Sequence, residues 1–253
     1  MDLQPEEHIR GYFEALYEHW GRQHWWPAHS GFEVIVGAYL TQNTSWTNVE
    51  RALASLRAAR ALSVAGIRRT PLRKIERLIR SAGYFRQKAR RLKLFVRFLD
   101  ERYSGSLAKM FAEPTAKLRQ ELLALEGIGP ETADSILLYA GNHPVFVVDA
   151  YTRRIMERHH LMVATAPYEE IRELFERALM QVPEKSLESS CDRKGAPGSC
   201  HAPSRMSTAK RETVVQVFNE MHSLIVGVGK NYCKKSHPAC EHCPLQKFLP
   251  GPQ

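Results

Sequence analysis

Ten residues, Leu125-Glu126-Gly127-Ile128-Gly129-Pro130-Glu131-Thr132-Ala133-Asp134, constrain this chain more than any other stretch. Gly127 and Gly129 permit a tight turn with positive φ and let main-chain N–H groups approach a ligand closely. Pro130 suits the first position of a helix, where its missing N–H costs nothing. An amphipathic run ending in Leu122, Leu123 and Leu125 precedes the turn, and the spacing predicts a helix over 131–140 after it. The pattern is helix, glycine turn, helix, and the second helix offers unpaired N–H groups and a positive dipole end to an anion. A lone G-x-G turn would be an ordinary connection. Here it is followed by the apolar stretch 145–148 and then by Asp149, a single carboxylate opening another helix.

The remaining periodicity is also helical. Ile9, Tyr12, Phe13, Leu16 and Tyr17 make one apolar stripe, and Phe32, Val34, Ile35, Ala38 and Tyr39 make another. Leu72, Ile75, Leu78 and Ile79 follow Pro71, and Gly83 breaks the chain before a basic helix over 85–99. Further helices are expected over 150–159 and 168–180. Residues 145–148 are too short for a convincing strand and read as a buried connector, so the expected class is all-α. Residues 183–212 are rich in Ser, Gly, Pro and basic side chains. Such a segment buries too little apolar surface to offset its ordering entropy, and a disordered insertion is expected there. Cys191, Cys200 and His201 fall inside it.

The net charge of +9 favours a polyanionic partner, although charge alone fits a merely basic protein equally well. No run of 18 apolar residues is present, which excludes a membrane-spanning helix. The first seven residues are acidic and lack an apolar signal core, so a cytoplasmic location is expected. Three of the five cysteines crowd between 233 and 243, which suggests metal ligation in a reducing compartment rather than a disulfide scaffold.

The stretches GIGPETADSILLYA (127–140) and VFVVDAYTRRI (145–155) resemble the helix-hairpin-helix DNA glycosylases of the endonuclease III superfamily. The likeness is greatest to the branch that includes 3-methyladenine glycosylases. It covers residues 30–160 well and 214–245 in part. The resemblance implies a two-lobed architecture with the active site in the cleft between the lobes. A six-helix barrel over 31–141 would contain the helix-hairpin-helix at about 118–140; residues 1–30 and 142–253 would form the second helical lobe. It also implies a monomer acting on double-stranded DNA that carries a damaged base.

Against that background Asp149 is the expected catalytic residue. Breaking an N-glycosidic bond builds positive charge on the sugar, and one carboxylate can stabilise it, orient a water, or both. Asp is equally a good helix N-cap, and the two roles are compatible. Glu131 stands where superfamily members that also nick the strand carry a lysine, whose amine forms a Schiff base. A carboxylate cannot do this, so a monofunctional enzyme is expected. Trp25, Trp26 and Pro27, with Trp46 after Thr41-Gln42-Asn43-Thr44, resemble the walls of the family's base pocket. Flat indoles suit an extruded, electron-poor alkylated purine, and core packing is their ordinary alternative. Gln42 matches the residue that fills the gap left by the flipped base. Gly127, Gly129, Thr132, Lys88 of the basic 83–91 segment, and Arg153 are the expected DNA contacts.

Cys233-x6-Cys240-x2-Cys243-Pro244 matches three ligands of the [4Fe–4S] cluster found in many relatives; the fourth position, six residues on, is Leu249. A cubane takes four ligands, and the fourth could be Cys191, Cys200, His242 or an exogenous group. Three thiolates and an imidazole would also make a zinc site, and an empty remnant is the third alternative. The rival functions left open are a bifunctional endonuclease III acting on oxidised pyrimidines and a DNA-binding module without catalysis.

Overall fold

The computed structural model describes residues 4–188 and 201–250. Among them there is no strand. The helices are α1 (Pro5–Trp20), α2 (Gly31–Thr41), α3 (Trp46–Ala58), α4 (Val64–Arg69), α5 (Leu72–Leu78), α6 (Phe85–Tyr103) and α7 (Leu107–Phe111). They continue with α8 (Thr115–Leu123), α9 (Pro130–Ser135), α10 (Ala150–Arg158), α11 (Tyr168–Leu179), α12 (Lys185–Glu188) and α13 (Thr213–Asn231). The chain divides into two compact units: Ala28–His143, the hairpin unit, and Met1–Pro27 with Pro144–Gln253, the terminal unit. None of the described helices is long and apolar enough to cross a membrane.

In the hairpin unit α2 is apolar almost all round, and such a helix must be surrounded. Val34, Ile35, Val36, Tyr39 and Leu40 are buried, and the helix packs against α3, α6 and α9. Its one acid, Glu33, is buried as well. It accepts from the His29 main chain at 3.1 Å and pairs with Arg57 of α3. Past Ser135 the second hairpin helix widens into a π-helical turn over Ile136–Ala140, a departure from the expected continuous α-helix. Leu72, expected in an apolar stripe, is 40% exposed, at the first residue of α5, where no preceding helical turn covers it.

The terminal unit is built on α13, with α1, α10 and α11 around it. Fourteen residues of α13 are buried, including Phe218, Met221, Leu224 and Ile225. A side chain at Gly229 would put its Cβ 2.1 Å from the Tyr151 ring, so glycine is what lets α10 come this close. The connector 145–148 is buried and non-helical as expected, with Phe146 stacked on Phe175 of α11 at 4.4 Å. Each large apolar side chain buried this way contributes about 1.5–3 kcal/mol.

The described part of 183–212 is more ordered than its composition suggests. Residues 201–208 hold a turn in which Ser204 and Ser207 exchange hydrogen bonds, and Ser207 is buried. The reason is external anchoring: the His201 N–H donates to the Gln23 carbonyl, Arg22 donates to the Ser207 carbonyl, and the Ser204 hydroxyl donates to the Trp26 carbonyl. Cys191 and Cys200 lie outside the described residues.

Candidate functional site

In the hairpin unit, α8 ends at Leu123 and the chain turns through Leu125–Gly129 into α9. Gly127 takes φ +82°, which only glycine adopts freely, while Gly129, at φ −95° and ψ 176°, caps α9 without a side-chain hydrogen bond. The turn is braced from one side. Gln42 Nε2 donates to the Gly127 carbonyl at 2.9 Å and to Thr132 Oγ1 at 3.0 Å, and Arg91 donates to Gln42 Oε1 at 3.2 Å. A bidentate pair, Arg119 to the fully buried Asp134 at 2.6 and 3.0 Å, ties α8 to α9. The result is a fixed turn whose leading N–H groups lack a side-chain cap, the arrangement an anion requires. Glu131 is exposed in the first turn of α9.

Lys88 corrects the expected set of DNA contacts. It is 2% exposed, and its ammonium donates to the carbonyls of Leu40, Gln42 and Ala82 at 2.7–2.9 Å. Burial, with a smaller push from Arg91, lowers its pKa to about 8. A side chain so engaged does not reach a phosphate; Arg80, Arg86 and Arg90 are the exposed cations of that region. Beside these arginines lies an exposed aromatic that sequence reasoning left without a role, Tyr84. It is 67% exposed and held in a left-handed conformation between Gly83 and α6. The signal for it was the aromatic immediately after a glycine inside a basic run. Trp46, half-buried at the start of α3, donates to Glu50 at 2.9 Å.

In the terminal unit Asp149 caps α10. Its Oδ1 accepts from the Thr152 N–H at 2.8 Å and from Thr152 Oγ1 at 2.9 Å. Its Oδ2 takes no part in the cap and lies 3.7 Å from Nε2 of His222 on α13. Burial pulls the His222 pKa below the ordinary histidine range, against the opposing influence of Asp149, so the ring is neutral at pH 7. Nothing local in the sequence pairs these two residues, because α13 meets α10 only through the fold. Arg153 donates to the Ala166 carbonyl at 2.7 Å. Arg154 donates to the carbonyls of Cys233 and Gly229.

Trp25 and Trp26 are 7% and 6% exposed, 5.6 Å apart between ring centres, and Pro27 is half-buried beside them. His201 lies against Trp25 at 5.3 Å, and the Lys230 ammonium stands 5.9 Å from the same ring. The segment is fixed from below by Glu220 of α13, which accepts from the Gln23 N–H at 2.8 Å.

Cys233, Cys240 and Cys243 line one small cavity, together with His159, Leu245 and Leu249. Among the described residues no three His, Cys, Asp or Glu side chains converge as a single metal ion requires. Three thiol side chains lining one cavity are the donor type that either an iron–sulfur cluster or a zinc ion takes. Arg158 reaches Cys233 Sγ at 3.1 Å, a cation placed to balance a thiolate-rich group. Leu249 lines the cavity but cannot ligate. The donor set therefore fits three of the cluster's four positions.

Residues 36–181 match the family model of the HhH-GPD superfamily base excision DNA repair proteins. A Methanocaldococcus jannaschii protein assigned as a DNA repair glycosylase is 39% identical over 244 residues, 96% of each chain. The Helicobacter pylori 3-methyladenine DNA glycosylase MagIII, solved with 1,N6-ethenoadenine, shares 26% identity at a TM-score of 0.69, covering 90% of this chain and 98% of that one. A non-covalent endonuclease III–DNA complex superposes at a TM-score of 0.71 with 21% identity, covering 98% of this chain and 96% of that one, a likeness of fold.

Proposed function

Because the chain belongs to the HhH-GPD superfamily of base excision DNA repair proteins, and is a DNA N-glycosylase by that membership, we propose that it is a monofunctional enzyme acting on alkylated purines. One observation carries the catalytic assignment: the two oxygens of Asp149 are divided between two tasks. Oδ1 is committed to the helix cap, which fixes the carboxylate. Oδ2 is left to face a reacting group. In that role it stabilises the positive charge that grows on the sugar as the base departs. A water at about 2.8 Å from both Oδ2 and His222 Nε2 would satisfy hydrogen-bond geometry with each. The pair would then orient the nucleophile that completes hydrolysis.

The other roles follow from chemistry. Backbone N–H groups at the Gly127–Gly129 turn hold a phosphate, Gln42 and Arg91 keep that turn in shape, and exposed arginines add affinity that falls with salt. Tyr84 stacks against a disturbed base step. In the terminal unit Trp25 and Trp26, and in the hairpin unit Trp46, are each candidates to offer an aromatic face to an extruded, electron-poor base; for the two buried indoles this requires a local opening. The H. pylori enzyme, whose substrate is 3-methyladenine, supports the alkylpurine reading. Glu131 supports the monofunctional one, because a carboxylate offers no amine for a Schiff base.

Cys233, Cys240 and Cys243 would hold an iron–sulfur cluster. When bound, such a group cross-links the C-terminal segment to the end of α13 and so serves the fold; no catalytic step passes through it. The activity is tested with duplexes carrying alkylated purines, oxidised pyrimidines or deaminated bases, with products compared before and after hot alkali. Strand scission that needs alkali, on alkylpurine duplexes alone, is the expected result. A borohydride-trapped covalent adduct would overturn the monofunctional assignment, and salt-sensitive binding with no base released would overturn catalysis.

A further inference from the structure

We propose that His159 is the fourth protein ligand of the cluster, which is then held by three thiolates and one imidazole. The inference rests on the cluster reading above and extends it to a residue that the cysteine spacing does not indicate. With Leu249 apolar, the spacing leaves His242 as the nearby alternative. The His242 side chain is 76% exposed, lies 3.9 Å from Glu241, and does not line the cavity. His159 does, immediately after α10 and next to Arg158, the residue that touches Cys233.

Two features of His159 point to a ligand. Its side chain is buried, with the residue 8% exposed, and Nδ1 has no hydrogen-bond partner. A buried ring nitrogen with neither partner nor solvent is unfavourable and calls for an occupant that the protein atoms do not supply. The ring is also held in place by Tyr12, packed edge-on at 5.1 Å. An imidazole in place of one thiolate makes the cluster less negative and raises its reduction potential, as in clusters with mixed histidine and cysteine ligation.

The test uses the full chain, purified without oxygen and reconstituted with ferrous iron and sulfide. Iron and sulfide per chain are measured, and electron–nuclear double resonance is recorded on the reduced protein carrying 15N-labelled histidine. The expected wild-type result is about four irons per chain and a hyperfine coupling to one imidazole nitrogen. His159→Ala should lose that coupling and drop to three irons or fewer after brief exposure to air. Adding Leu249→Cys to that variant should restore the iron without restoring the nitrogen signal, which separates lost ligation from misfolding. Tyr12→Phe should keep both. A wild-type cluster with no coupled nitrogen, or His159→Ala with iron and coupling unchanged, overturns the assignment of His159 alone. A wild-type chain that takes up no iron, or takes zinc instead, overturns the cluster reading and the inference with it.

Discussion

The two glycines of the hairpin should respond to alanine in opposite ways. At Gly127 the backbone sits at φ +82°, where an L side chain costs about 1–2 kcal/mol. The new Cβ would also lie 1.9 Å from Arg91 Nε. Arg91 is flexible and can withdraw, but doing so gives up its hydrogen bond to Gln42 Oε1. For a half-buried, charge-assisted bond that adds about 1–2 kcal/mol. Gly127→Ala should therefore destabilise by about 2–4 kcal/mol, and at about 2–4 °C per kcal/mol for a chain this long the melting temperature falls by roughly 4–16 °C. At Gly129 the backbone is extended, and a Cβ would meet nothing within 4 Å. Alanine there should leave stability unchanged or raise it by about 0.4–1 kcal/mol through the unfolded chain. The same methyl stands at the cap of α9, where a phosphate oxygen would approach, and should weaken duplex binding about tenfold, or about 1.4 kcal/mol. Calorimetry gives the melting temperatures and fluorescence anisotropy with a labelled duplex gives the affinities. If Gly129→Ala binds DNA within twofold of wild type, the turn is not a phosphate site. If Gly127→Ala melts with the wild type, the strain argument is wrong.

Three further outcomes follow from the same structure. Arg119→Ala removes the bidentate partner of the buried Asp134 and should cost about 3–5 kcal/mol, read as a shift in urea midpoint; a loss below 1 kcal/mol would contradict it. Glu220 is fully buried, and burial raises its pKa to about 7 against the opposing Gln23 N–H, Arg22 and Gln216. A raised folded-state pKa means stability that is present below about pH 4.5 and lost as pH rises through 7. Relative to Glu220→Gln, the wild type should lose about 3 kcal/mol across that window, and parallel pH profiles would refute this. Lys88→Met should leave the salt dependence of DNA binding unchanged, whereas Arg86→Ala should flatten the log–log slope by about 0.9; equal changes would mean that Lys88 reaches the backbone after all.

What the sequence revealed was local. The Gly-x-Gly-Pro turn, the cap at Asp149 and the stripes of α1 and α2 are set by residues within a few positions of one another, and the structure forms each of them. What it did not reveal depends on partners far along the chain. Lys88 sits in a basic run and reads as surface, but three carbonyls from Leu40, Gln42 and Ala82 converge on its ammonium. His222 meets Asp149 across 73 positions, and Glu220 meets Gln23 across 197. Residues 201–208 have too little apolar content to fold alone, yet take a defined turn because Gln23, Arg22 and Trp26 bond to them. His159 carries no motif at all; only the cavity places it beside the cysteines.

The most direct test of the catalytic assignment is Asp149→Asn under single-turnover conditions on an alkylpurine duplex. Asparagine caps a helix about as well as aspartate, so fold and DNA affinity should survive while the negative charge does not. Base release should fall by about 10²–10³-fold or more, with the melting temperature within a few degrees of wild type. Release at the wild-type rate by a folded, DNA-binding Asp149→Asn would show that some other group carries the chemistry.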